Sequence, residues 1–254
     1  MNKKRDVAFL FDVDGVMIET PHEKAWKSSA LESGLINEDF DFTSFYQRYI
    51  SGIPGLKGAE IILEKMGYYK NKKIENQKEK ENEATKFRES KQKFLDEYIE
   101  SGEFKIFRDI ESIIKDAKKN KTPIAAVSSS ENAEKILRKT DLYNLFDSLT
   151  LGAIKHKPLY RSIKKEDLYI FAFGKLCGML DIEIPKYPII FEDADKGVEA
   201  AKNIGYFCIG IAREGLSTPN SLIRNGADLA YDSTMLFQKG YGGIMRDLDK
   251  KLSF

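Results

Sequence analysis

The chain has 254 residues, with 41 Lys and Arg against 40 Asp and Glu, for a formal net charge of +1. That balance leaves no basic excess to draw a nucleic acid, and 42% hydrophobic residues is too high for a disordered chain. The length suits one large domain or a domain carrying an insertion, with a core that needs neither disulfide nor metal.

Apolar runs rich in Val, Ile, Phe and Tyr predict strands at 7–11, 123–127, 146–151, 187–191, 207–211 and 228–231. Amphipathic patterns at 110–120, 133–139, 167–180 and 197–204 predict helices between them. Strands that are apolar throughout and alternate with helices imply an α/β fold. The expected core is Rossmann-like and three-layered, with a mostly parallel sheet covered on both faces. The first strand precedes the next by about a hundred residues, far more than one crossover needs. Residues 18–103 are therefore expected to be an inserted α-helical subdomain, and 1–17 with 104–254 the α/β core. Helical patterns inside the insertion cover 23–33, 42–50, 59–66 and 84–99. Its stretch 70–93 is nearly all Lys, Glu, Asn and Gln, and mixed signs there point to a solvated helix face or a mobile connector.

Cys177 and Cys208 lie far apart and form no CxxC pair, so both are expected as free thiols. The basic start is followed by an apolar run of only 7–11, short of the ~7–15 residues of a secretory signal. No run approaches the ~20 apolar residues of a membrane span. A cytoplasmic protein without a membrane or nucleic-acid partner is the expectation, with a monomer favoured.

The chemistry is expected at strand ends, where open parallel sheets bind ligands. The first strand runs into Asp12-Val13-Asp14-Gly15, two carboxylates with no basic neighbour. By itself this could be a solvated turn. A second acidic pair, Glu192-Asp193, follows the strand at 187–191 in the same way and favours a shared Mg²⁺ site, since hard oxygen ligands suit that cation. Ser128 ends the strand at 123–127 and opens a helix, where Ser129, Asn132 and backbone N–H groups could receive an anion; a plain serine N-cap is compatible with that role. Lys157, before Pro158, could supply a compensating positive charge.

In this order the segments resemble the four motifs of the haloacid dehalogenase-like hydrolase superfamily: Asp12-Val13-Asp14-Gly15, Ser128, Lys157 and Glu192-Asp193. The element His22-Glu23-Lys24-Ala25-Trp26 is similar to one in its β-phosphoglucomutase-like branch, as are 127–133 and 192–200. The resemblance implies a nucleophile at Asp12, an acid/base at Asp14, and Mg²⁺ held by Asp12, Asp14, Glu192 and Asp193. It also implies phosphate binding by Ser128 and Lys157, and a substrate-selecting cap in 18–103.

The spacing departs from the family pattern at the lysine, where Lys155, Lys164 and Lys165 are alternatives to Lys157. The loop 51–58 lacks the arginine with which mutases of the branch grip a second phosphate, leaving Lys57 as a substitute. His22 is either a substrate-side residue or a polar cap residue, and Trp26 is expected in the cap core. The activity implied is a Mg²⁺-dependent phosphomonoester hydrolase acting on a small phosphorylated metabolite such as a sugar phosphate. A sugar-phosphate mutase is the alternative, and a non-catalytic Mg²⁺/phosphate-binding regulator a third reading.

Overall fold

The computed structural model describes residues 6–51, 53–152, 164–180 and 184–252. The chain divides into two compact units, Met1–Thr20 with Lys105–Phe254, and Pro21–Phe104. In chain order, β1 (Val7–Asp12) and β2 (Ile18–Glu19) precede the helices α1 (His22–Glu32), α2 (Phe42–Tyr49), α3 (Gly55–Lys65), α4 (Tyr68–Lys72) and α5 (Gln77–Glu100). Then come β3 (Lys105–Ile106), α6 (Arg108–Lys119), β4 (Ile124–Ser128), α7 (Ala133–Leu137), β5 (Ser148–Leu151) and α8 (Lys165–Gly178). The chain continues with β6 (Tyr187–Glu192), α9 (Asp195–Asn203), β7 (Phe207–Ile211), α10 (Pro219–Asn225), β8 (Leu229–Tyr231) and α11 (Ser233–Leu252).

The α/β unit is built on a six-stranded parallel sheet in the order β5-β4-β1-β6-β7-β8. Every residue of β1 is buried, as expected of a central strand covered on both faces. Alternation sends Ala8 and Leu10 to one face, where they join Leu168, Tyr169 and Ala172 of α8 and Val198 and Ala201 of α9. Phe9 and Phe11 form an aromatic layer with β6 and α11: Phe11 stacks on Phe191 at 4.4 Å, and Phe9 lies 6.1 Å from Tyr241. The sheet is the Rossmann-like one expected from the strand pattern.

Its order reverses at β1, with β4 on one side and β6 on the other, which is where a doubly wound sheet opens a crevice. Asp12 pairs with Val127 and Phe11 with Phe191. One step further along, Ser128, Asp12 and Glu192 end three neighbouring strands at nearly the same level.

The helical unit has a core of its own, in which Trp26 lies 5.6 Å from Phe87 among Phe42, Ile50, Ile62 and Leu63. Helix α5 starts at Gln77, seven residues before the apolar periodicity does. Its buried positions Ala84, Phe87, Lys91, Leu95 and Ile99 form a stripe at helical spacing. Ahead of the stripe, the Asn76 side chain accepts from the backbone N–H of Lys78 at 2.9 Å and of Glu79 at 3.2 Å. That cap supports a solvated first section through a stretch of charged residues.

Several elements lie outside the predicted set. The two-residue strands β2 and β3 pair antiparallel across a hundred-residue-scale excursion, too short for any periodicity to show. Helix α10 is capped by Thr218, which accepts from Ser221 N–H at 3.1 Å. Helix α11 is broken at Gly240 (φ 55°, ψ −173°), so its apolar pattern shifts phase midway. Helix α8 opens two residues earlier than its pattern, and β5 two residues later than its own. Both cysteines are free thiols, Cys208 buried and Cys177 partly so. Among the described residues, no helix is long and apolar enough to cross a membrane.

Candidate active site

Asp12, the last residue of β1, is buried, and its Oδ1 lies 3.4 Å from Lys165 Nζ. The same ammonium donates to Glu192 Oε1. Lys165 is the first residue of α8, whose N-terminal turn places it over the strand ends. Glu192, at the end of β6, is fully buried and completely engaged. Its Oε1 also accepts from the Tyr169 hydroxyl at 2.5 Å, and its Oε2 from Ala194 N–H at 3.1 Å. Gly197 permits this packing, since a Cβ there would sit 2.1 Å from the Glu192 carboxyl carbon.

Asp193 lies against the loop that follows Asp12. Gly15 has φ +83°, and a Cβ on it would stand 1.9 Å from Asp193 Oδ2. Glycine is therefore required there for conformation and for space together. The loop itself is tightly closed. Gly15 N–H donates to Ile18 O at 2.8 Å, and the N–H groups of Met17 and Ile18 both reach Val13 O at 3.0 Å. Asp14 projects from it half-buried, its Oδ1 accepting from the Thr20 hydroxyl.

The electrostatics are those of crowded acids. Burial pushes Asp12 well above the usual carboxylate range; Lys165 opposes the rise, while Glu192, Asp193 and Asp14 add to it. Asp193 is pushed up to about 7, by burial first and Glu192 next, against the pull of Lys165. Burial works against the charge on Lys165 too, yet Asp12, Glu192 and Asp193 outweigh it and hold the ammonium above the usual lysine range. Two buried carboxylates sharing one ammonium, with the partly buried Asp193 beside them, carry excess negative charge at high cost. A hard divalent cation fits that donor set. Among the described residues, no three His, Cys, Asp or Glu side chains form a ligand group by themselves. Such a cation would take further oxygens from backbone and water, as Mg²⁺ commonly does.

On the other side of β1, Ser128 is buried and its Oγ accepts from Ser130 N–H at 3.1 Å. Ser129 is exposed and Asn132 partly buried, ahead of the five-residue α7. The strand register thus gathers Asp12, Asp14, Ser128, Glu192 and Asp193 at one sheet edge. Lys157 and Lys155 lie outside the described residues. Lys164 is the exposed residue preceding α8, and among the described residues Lys165 reaches Asp12.

In the helical unit, His22 opens α1 and its Nδ1 lies 3.0 Å from Nζ of the buried Lys91. Lys57 is exposed on α3 and paired with Glu60 Oε2 at 2.8 Å. Trp26 is buried in that unit's core.

Comparison with known proteins settles the family. The family model for haloacid dehalogenase-like hydrolases matches residues 7–205. The chain belongs to the haloacid dehalogenase-like hydrolase family. It is 26% identical over 224 residues to a phosphorylated carbohydrates phosphatase of Thermotoga maritima, covering 87% of this chain and 91% of that one. It is 27% identical over 235 residues to the β-phosphoglucomutase of Bacillus subtilis, covering 89% and 92%. Among solved structures, the archaeal β-phosphoglucomutase of Pyrococcus sp. strain ST 04 superposes with a TM-score of 0.71 at 30% identity, covering 89% and 92%. This haloacid dehalogenase-like protein is an enzyme, of the phosphatase or phosphomutase kind.

Three residues of the α/β unit around this family's motifs escape sequence reasoning. Tyr169 stands four residues after Lys165, so one helix face carries both side-chain partners of Glu192. Arg213 stands two residues after β7, a charged residue just past the end of an apolar strand, and Asp109 is the second residue of α6. A strand-end charge was available as a signal for Arg213; nothing local marks Asp109.

Proposed function

We propose that this enzyme is a Mg²⁺-dependent phosphomonoester hydrolase that works through an aspartyl phosphate on a small phosphorylated sugar. The observation that carries the reading is Asp12: a buried carboxylate at the end of the central strand, paired with Lys165, with Asp14 two residues on in a rigid loop. The domain reading belongs to the same proposal. The α/β unit does the chemistry, and the helical unit is the inserted cap that selects the substrate.

An oxygen of Asp12 attacks phosphorus, forming one P–O bond as the ester P–O bond breaks. Asp14 gives its proton to the leaving alkoxide, and the resulting carboxylate then takes a proton from the water that attacks the phosphoenzyme. Phosphate leaves and Asp12 is regenerated. Lys165 and the Ser128 hydroxyl stabilise the phosphoryl oxygens, where charge gathers in the transition state. Glu192, engaged by Tyr169, Ala194 N–H and Lys165, holds that lysine in place. Mg²⁺, held by Asp12, Asp193 and the Asp14 carbonyl, would offset the repulsion between carboxylate and phosphate.

The test is phosphate release from a panel of sugar phosphates with and without Mg²⁺, together with intact-mass detection of a phosphorylated protein. Asp12→Asn is expected to lose at least ~10⁴-fold in turnover and to form no phosphoprotein. Near wild-type release by that variant would overturn the mechanism. The two β-phosphoglucomutase relatives favour a mutase as second reading. Conversion of β-glucose 1-phosphate to glucose 6-phosphate without free phosphate would establish it.

A further inference from the structure

Arg213 is the most heavily committed side chain of the α/β unit that the chemistry above does not use. Only 4% of it is exposed. Its Nη1 donates to Asp109 Oδ2 at 2.7 Å and to Ser233 Oγ at 3.0 Å. Its Nε donates to Gly15 O at 2.8 Å, and its Nη2 to Val16 O at 2.5 Å. The guanidinium carbon lies 3.7 Å over the Phe107 ring. One rigid, planar group thus grips two consecutive carbonyls immediately after Asp14. Asp109, itself buried, supplies the countercharge.

Stability alone is a poor explanation for this cluster. A buried ion pair is often no better than a well-packed apolar replacement, and a hydrophobic side chain would fill the space beside Phe107. What an apolar residue cannot do is orient two peptide planes at once, which suits the fixed fork of guanidinium donors. Those planes belong to Gly15 and Val16. Gly15 is already confined on another side, with Asp193 where its Cβ would be. The N–H groups of Gly15, Met17 and Ile18 are bound within the loop. The carbonyls gripped by Arg213 therefore complete the immobilisation of the turn that carries Asp14.

We propose that Arg213, neutralised by Asp109, is a positioning residue that aims Asp14 at the leaving oxygen. The inference rests on the acid/base role given to Asp14 above. Misplacing a proton donor by about an ångström costs on the order of 10²-fold. That loss falls on substrates whose leaving group needs a proton, such as a sugar alkoxide. An aryl phosphate such as 4-nitrophenyl phosphate leaves as a stable phenolate and makes little demand on the acid.

The experiment compares kcat/KM on the two substrate types for wild type, Arg213→Lys, the double variant Arg213→Met/Asp109→Leu, and Asp14→Asn. The double variant removes the pair without stranding a buried charge, and its folding is checked by thermal melting. Arg213→Lys keeps the charge but not the planar fork. Both Arg213 variants are expected to lose ~10- to 100-fold in kcat/KM on the sugar phosphate and less than about 3-fold in kcat/KM on the aryl phosphate. Asp14→Asn is expected to show the same selectivity, larger in size. If Asp14→Asn shows that selectivity and the Arg213 variants lose equally on both substrates or on neither, the inference is overturned. If Asp14→Asn itself lacks it, the acid role falls first and the inference with it.

Discussion

The two units of this chain hold their polar residues in opposite ways. In the α/β unit, Asp12, Ser128, Glu192, Asp109 and Arg213 are all buried and bound by named partners. In the helical unit, charge is mostly worn outside, in pairs such as Lys57–Glu60 and Lys86–Glu83. Exposed pairs of that kind contribute little, so the sequence there is free to drift wherever the apolar stripe survives. Buried charges permit no such freedom. The difference shows why buried polar residues at strand ends stand out in the sequence while charges on a solvated helix do not.

The sharpest way to break the comparison is at Lys165. Lys165→Met is expected to cost turnover ~10²–10³-fold through lost stabilisation of the transition state. It should also destabilise the fold by roughly 1–3 kcal/mol, because Glu192 is left buried without its cation. A double variant Lys165→Met/Glu192→Leu should recover stability in denaturant titration but not activity. Full activity in Lys165→Met, with loss in Lys157→Ala, would transfer the role to Lys157.

A smaller effect tests the helical unit. Asn76→Ala removes the cap of α5 and is expected to lower stability by about 1 kcal/mol, read by thermal unfolding. No change would mean that the charged stretch before Ala84 contributes nothing as helix.

The smallest effect concerns Glu111, buried on α6 and paired with Lys115 at 2.7 Å and Arg108 at 2.6 Å. The hydrogen bond from Lys115 does most to hold its carboxyl below the usual range, with Arg108 assisting and burial opposing. Because the folded-state pKa is the lower one, this stability is complete above the unfolded value of about 4.3. It disappears as pH falls through the folded value. Glu111→Gln should cost about 0.5 kcal/mol at pH 7 and nothing at pH 2; an equal cost at both would exclude the ionic explanation.

Much of the site was legible because its parts end strands. The apolar run into Asp12 and the one into Glu192-Asp193 mark sheet edges by themselves, and parallel register does the rest. The lysine beside Asp12 among the described residues was less legible: Lys165 is marked only by its place at the first turn of α8. Its pairing with Glu192 depends on a helix position, and no spacing rule relates residue 165 to residue 192. Arg213 showed only as a charge after an apolar strand, and its pairing with Asp109, Gly15 and Val16, lying 104 and about 200 residues away in sequence, gave no local signal. In the helical unit the apolar stripe from Ala84 was plain, but the capped section before it carries no periodic signal. Helix α11 went unread because Gly240 divides its pattern into two short halves.

The sheet order has a consequence for how the chain is made. β1 is the central strand, yet both of its neighbours, β4 and β6, are encoded beyond the whole helical unit. A ribosome adding ~5–20 residues per second needs on the order of ten seconds to pass from β1 to β4. During that time the helical unit is complete and has its own core to fold around, while Val7–Phe11 remains a bare apolar segment without a partner. The residues that most firmly centre the finished sheet are, in the nascent chain, the ones longest exposed to pairing with something else.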